Sequence, residues 1–258
     1  MRLYAKFFSM HLKSQMQYKA SFAFSLVGQF FVAFTVFLSL NFLFMRFDYV
    51  DDFTYQEVLI CFAVMLMAFS LGEMFGRGFD RFPVLLGNGT FDRALVRPRN
   101  IVFQVLASTI EFTRLGRTLQ AVTVFVYVIP RSGIVWTWDK ILTLCLMVIC
   151  GGVLFFGLFL IYAALSFFTV EGLEFMNIFT DGGREHGRLP FSVYGENVLR
   201  FLTFVIPLAL VQYYPLLYLL GREESMLFAF TPVFALLFLL PCYGLFRFGL
   251  RRYKSTGS

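Results

Sequence analysis

"GTFDRALVRPR", residues 89–99, places one Asp and three Arg in eleven residues, between apolar stretches long enough to be membrane helices. It opens on a Gly and carries a Pro near its end. Such a polar, punctuated stretch does not lie in hydrocarbon. It therefore marks a membrane boundary, and the surrounding chain must say which one.

The composition fixes the class. Of 258 residues, 59% are hydrophobic, 20% aromatic and 15% charged. A soluble domain carries about a quarter of its residues charged, and 37 Phe exceed what one globular core could bury. The chain reads as an all-α integral membrane protein. The net charge of +6 fits basic loops meeting anionic membrane lipid, and no nucleic acid is expected as a partner. Cys61, Cys145, Cys150 and Cys242 sit in apolar runs and read as small hydrophobes. His11 and His186 stand apart from any Cys or His, so no metal site is expected.

Working outward, the polar region around the opening stretch spans 76–100 and holds Arg77, Asp80, Arg81, Asp92, Arg93, Arg97 and Arg99. Its interspersed Phe and Leu predict one or two short amphipathic helices, broken at Gly87-Asn88-Gly89. Upstream, Arg2, Lys6, Ser9 and Lys13 recur at helical spacing, which predicts an amphipathic helix over 1–19 lying in the headgroup region. Residues 20–45 are free of charge and form the first span; 55–75 form the second. Downstream, a third span over 108–130 must include Glu111, Arg114 and Arg117 near one membrane boundary, with Glu111 and Arg114 close enough in sequence to pair. Spans over 141–168, 198–220 and 226–246 follow, with a polar segment over 171–197. Gly151, Gly152 and Gly157 offer small surfaces for close helix packing, and prolines kink the last two spans.

Six transmembrane helices put both termini on one side. That side collects eighteen of the 22 Lys and Arg, and Arg46, Arg131, Lys140 and Arg222 fall on the other. The excess of basic residues places both termini and residues 89–99 in the cytoplasm. Asn88-Gly89-Thr90 matches a glycosylation sequon but faces the wrong compartment for one.

Enzyme chemistry is not evident. There is no phosphate-binding G-x-x-x-x-G-K-[ST]; "RRYKSTGS" has the Lys without the glycines. No H-E-x-x-H or G-x-S-x-G occurs. Few ionisable groups fall in the inner parts of the six spans, which also argues against a proton-coupled carrier. A pathway-forming subunit without its own engine remains, with a polar segment suited either to docking a partner or to lying on lipid. A membrane scaffold or assembly subunit and a lipid-modifying enzyme are the alternatives.

"GTFDRALVRPRN" resembles the G-x-[LF]-D-x-x-L-[LV]-R-P signature of ABC-2-type transporter permeases, through Gly89, Phe91, Asp92, Leu95, Val96, Arg97 and Pro98. "LPFSVYGENVLRFLTFVIPLALVQYYPLLYLLG" is similar to the same family at Pro190, Tyr194, Pro207, Tyr213, Tyr214 and Pro215, with Leu189 where relatives often have Tyr. The resemblance implies two six-span permease subunits around a pathway, as a homodimer or heterodimer. Each would dock on an ATP-binding cassette ATPase subunit through a cytoplasmic coupling helix between helices 2 and 3. ATP and Mg would sit on that partner, with no cofactor in this chain. Family members mostly export, from the cell inner (plasma) membrane. Short half-buried helices would precede the sixth span, around Pro215–Glu224. On this reading Gly89 lets the chain turn into the coupling helix, and Phe91 and Leu95 insert into the partner. Asp92 suits the helix start, Arg93 and Arg97 reach acidic groups, and Pro98 stops the helix.

Overall fold

The computed structural model describes residues 2–169 and 173–253, without the side chains of Arg2, Leu3 and Ala5. The Arg2 side chain of the predicted basic stripe, Glu171 at the head of the predicted segment 171–197, and Lys254 of the tail lie outside what is described. Among the described residues the chain is helical, with one isolated bridge between Val50 and Phe53.

Helix α1 (Arg2–Gln15) leads through a turn of 3₁₀ helix (Met16–Tyr18) into α2 (Lys19–Arg46), and Tyr18, the last residue of that turn, has dihedrals outside the helical region, φ −106°, ψ 71°. Lys6, Ser9 and Lys13 are exposed, as the stripe predicts. The opposite flank docks inward. The Gln15 amide donates to the Ile110 carbonyl at 2.7 Å, His11 Nε2 lies 2.9 Å from the Ala107 carbonyl, and Phe8 meets Phe112 edge-on at 4.8 Å.

The turn after α2 places Asp51 and Asp52 at φ 50° and 64°, the left-handed pair that a tight hairpin needs. Helix α3 (Tyr55–Asp80) then starts on a capping box: Thr54 accepts from the Glu57 amide, and the Glu57 carboxylate accepts from the Thr54 amide at 2.8 Å. It is the central helix, and Val58–Leu66 are all buried. Helices α4 (Phe82–Gly87), α5 (Thr90–Leu95) and α6 (Ile101–Ser108) follow at its far end. Helix α7 (Leu115–Val128) is flanked by 3₁₀ turns, so helical residues run from 112 to 131, about 30 Å at 1.5 Å per residue. Helix α8 (Trp138–Leu165) packs along α3. A Cβ on Gly72 would lie 2.8 Å from Phe155 Cβ, and one on Gly151 would lie 2.8 Å from Ala68 Cβ. The glycines thus set the α3–α8 separation. Helices α13 (Met226–Ala235) and α14 (Leu239–Arg252) pack on the other side of α8.

Among the described residues, four helices are long and apolar enough to cross a membrane: Lys6–Arg46, Tyr55–Gly87, Trp138–Leu165 and Met226–Arg252. Two expected spans look different. Residues 109–111 leave the helix, with Thr109 extended and Glu111 at ψ 87°, so the third expected span becomes the shorter α7. Residues 198–220 are not a through-going helix. They divide into α10 (Glu196–Phe204), α11 (Leu208–Val211) and α12 (Tyr213–Leu219), bent by 85° at the break that holds Pro207.

Both ends of this bent pair lie at the same end of the bundle. Just before α10, the Ser192 hydroxyl donates to Asp51 at 2.6 Å. Just after α12, Arg222 donates to the Asp52 carbonyl at 2.8 Å and to Glu57 at 3.1 Å. Residues 196–219 thus form a hairpin that dips into the bundle and returns. The preceding segment, expected to stay at the opposite end, climbs along α3. Arg184 stacks on Phe69 at 4.8 Å, Gly187 touches Met65, and Ser192 reaches Asp51. The buried Gln212 amide on the hairpin donates to the carbonyls of Gly187 and Leu189, at 3.1 and 2.8 Å, and so satisfies part of this irregular backbone.

Candidate coupling surface and the charged layer above it

At the end of the bundle away from Asp51, Gly89 turns the chain with φ +64°, a conformation open to glycine at little cost. It separates α4 from α5, and the Thr90 hydroxyl closes the turn onto the Leu85 carbonyl at 3.1 Å. Phe91 is 1% exposed. It meets Phe82 edge-on at 4.9 Å, Tyr253 at 5.2 Å and Phe167 at 5.7 Å. The expectation that Phe91 inserts into a partner is therefore corrected: the ring is core, and it locks α5 onto this chain's own helices. Asp92 accepts a hydrogen bond from the Tyr253 hydroxyl at 3.0 Å. Burial, and this bond to Asp92, push the Tyr253 phenol above its ordinary range.

The outer face of α5 and the loop behind it differ from its inner face. Arg93, Leu95, Val96, Arg97, Pro98 and Arg99 are all exposed, Val96 at 84%. No ion pair involves Arg93, Arg97 or Arg99 among the described residues. The helix ends at Leu95, before Pro98 requires it. The Gln104 side-chain amide then bridges the Ala94 and Arg99 carbonyls, both at 3.0 Å, and Asn100 caps α6 by accepting from Val102 at 2.9 Å. The loop bearing the arginines is held at both ends.

Between this surface and the middle of the bundle lies a layer of buried charge. Glu73 accepts from Arg114 at 2.9 Å, Arg117 at 3.0 Å and Arg77 at 3.2 Å; Arg77 also reaches Asp80 at 2.5 Å. The expected pairing of Glu111 with Arg114 is not formed. Glu111 faces Arg81 at 3.4 Å, because the backbone bends at 109–111 and turns Arg114 towards α3. Glu73 falls inside the second expected span, 55–75, and its role as the hub was missed. The signal was present: Glu73, Arg77 and Asp80 recur at i, i+4 and i+7, one face of a helix. Also missed was the mid-bundle group Arg184, Glu185 and Arg188, in which Glu185 pairs with both arginines. The reasoning that the interior holds few ionisable groups fails there, since those charges ride on a segment that no hydropathy window selects.

The surface sits where the resembling motif sits, and the sequence profile of the ABC-2 family transporter proteins matches residues 30–257. The chain belongs to the ABC-2 transporter family. It is a membrane permease of the transport type, and its family associates with ATP-binding subunits. No curated protein and no solved structure matches it. In this permease the motif residues therefore divide into two sets. Gly89, Phe91 and Asp92 build and anchor α5, while Arg93, Leu95, Arg97 and Pro98 are displayed outward.

Proposed function

We propose that this permease is the membrane-spanning subunit of an exporter, driven by a separate ATP-binding cassette subunit that grips the α5 surface from the cytoplasm. The supporting observation is the exposed row Leu95–Arg99, at the end of α5 and in the loop behind it, on an element whose inner side, through Phe91 and Asp92, is fastened to the ends of α8 and α14. Apolar side chains fill a groove on the partner and the unpaired arginines meet its acidic residues. ATP and Mg stay with the partner. Closure of the partner pair then moves α5 and, through the aromatic lock, two long helices.

The sidedness follows from charge. With Arg184 and Arg188 set aside as mid-bundle and Arg200 moved with Glu196 to the Asp51 end, thirteen Lys and Arg among the described side chains lie at the α5 end against five at the Asp51 end. The positive end faces the cytoplasm and the Asp51 end faces outward, in the plasma membrane. Six crossings remain, but the fifth is the irregular segment 173–195 and the hairpin α10–α12 enters from outside. Both termini are cytoplasmic, and two permease copies, identical or not, enclose the pathway.

Co-purification with the cognate ATPase tests the docking. Arg97→Glu combined with Leu95→Ala is expected to abolish it while leaving the permease folded. Unchanged co-purification and unchanged ATPase stimulation would overturn the assignment.

A further inference from the structure

A small cavity lies between α2, α3, α7 and the climbing segment that contains α9 (Asp181–His186). It offers about 30 Å³, room for two or three water molecules and so for one phosphate or carboxylate group. Arg117, Arg184, Glu185 and Arg188 form its polar wall. The facing wall is apolar, with Val36, Phe62 and Leu66. Phe62 and Leu66 lie about 10 and 16 Å along α3 from Tyr55, close to half the depth of a roughly 30 Å hydrocarbon core. Irregular backbone and ionised side chains at that depth are tolerated where they line a cavity, and they mark substrate paths.

The charge is unbalanced. Arg77, Arg114, Arg117, Arg184 and Arg188 share Glu73, Asp80, Asp181 and Glu185, leaving one guanidinium over. Of the arginines on the cavity wall, Arg117 has a buried Nε donor with no acceptor among the described residues. A buried, unmatched donor is costly, and an anion supplies both acceptor and charge. We infer that this cavity receives the anionic headgroup, phosphate or carboxylate, of an amphipathic substrate whose apolar part lies against the α2–α3 wall. The inference rests on the reading of this chain as a transport pathway and names the substrate class.

Native mass spectrometry of the purified permease, offered equal phosphatidylglycerol and phosphatidylcholine, tests it. The wild type is expected to retain phosphatidylglycerol preferentially. Arg184→Gln with Arg188→Gln is expected to lower that retention about tenfold, the loss of one or two charge-assisted hydrogen bonds, with phosphatidylcholine unchanged. Arg251→Gln with Arg252→Gln, at the exposed end of α14, should leave the preference intact. Glu185→Gln frees Arg188, leaves Arg184 with only the longer contact to Asp181, and is expected to raise retention. Equal retention by the Arg184/Arg188 variant and the wild type overturns the inference. Should that variant not fold, Glu185→Gln decides alone, and unchanged or weaker retention overturns it. Glycerol phosphate that displaces the lipid at equal concentration would show a site for free anions and overturn the amphipathic part. The assay contains no ATPase, so its failure leaves the docking experiment standing, and failed docking leaves this result standing.

Discussion

Phe91 meets three aromatic rings, Phe82, Phe167 and Tyr253, between the ends of α3, α8 and α14, while Leu95, one turn on, is 39% exposed. The two residues of one motif should therefore respond differently. Phe91→Ala opens a cavity and is expected to destabilise by about 3–5 kcal/mol. Leu95→Ala is expected to change stability by less than about 0.5 kcal/mol while weakening ATPase docking. Melting curves on the two detergent-purified variants, set beside co-purification yields, separate them. Glu73 is the second residue whose role is sharply defined. It is 5% exposed and holds three arginines. Glu73→Gln leaves those cations without their shared counter-charge, and breaking a buried pair from one side costs about 3–5 kcal/mol. Loss of a monodisperse folded peak on size exclusion, against retention for Arg81→Gln at the exposed rim, is the expected pattern. A fully stable Glu73→Gln would mean that the arginines find other acceptors.

The elements were legible in the sequence to different degrees, for physical reasons. The long apolar helices α2, α3, α8 and α13–α14 declare themselves by hydropathy, because each needs about 20 apolar residues to span. The break at Gly87–Gly89 and the short α5 follow from turn chemistry. The hairpin α10–α12 did not declare itself: its composition equals that of a span, and only contacts with Asp51, Asp52 and Glu57 reveal that both ends lie together. The climb of 173–195 was hidden for the opposite reason, since Asp181, Arg184, Glu185 and Arg188 give it the look of a surface loop. Phe91 was misplaced because spacing on a helix says which residues share a face, not which neighbour covers that face. At this scale the α3–α8 contact is the most exposed to test. Gly72→Leu forces a side chain into Phe155 and the Gly152 carbonyl, and overpacking of this kind costs about 1–3 kcal/mol or more. Gly28→Leu, which meets nothing within 4 Å, should be neutral. Thermal shift of the pair reads out the difference.

For the molecule as a whole, the relocated hairpin makes a clean topological prediction. Glu196 is exposed beside the Asp51 turn, so Glu196→Cys in a Cys145→Ser background should react with an impermeant maleimide added outside intact cells. Arg99→Cys should react only after the cells are opened. Labelling of Arg99→Cys from outside would invert the orientation and remove the docking surface from the ATPase. The irregular climb past α3 also carries a consequence for biogenesis. A translocation channel that sorts nascent segments by greasiness will decline to release residues 173–195 sideways into lipid. That stretch can settle only once α3 and α8 stand ready to receive it, which makes its passage a late, post-insertion event and the point at which an unfinished molecule is most open to quality-control proteases.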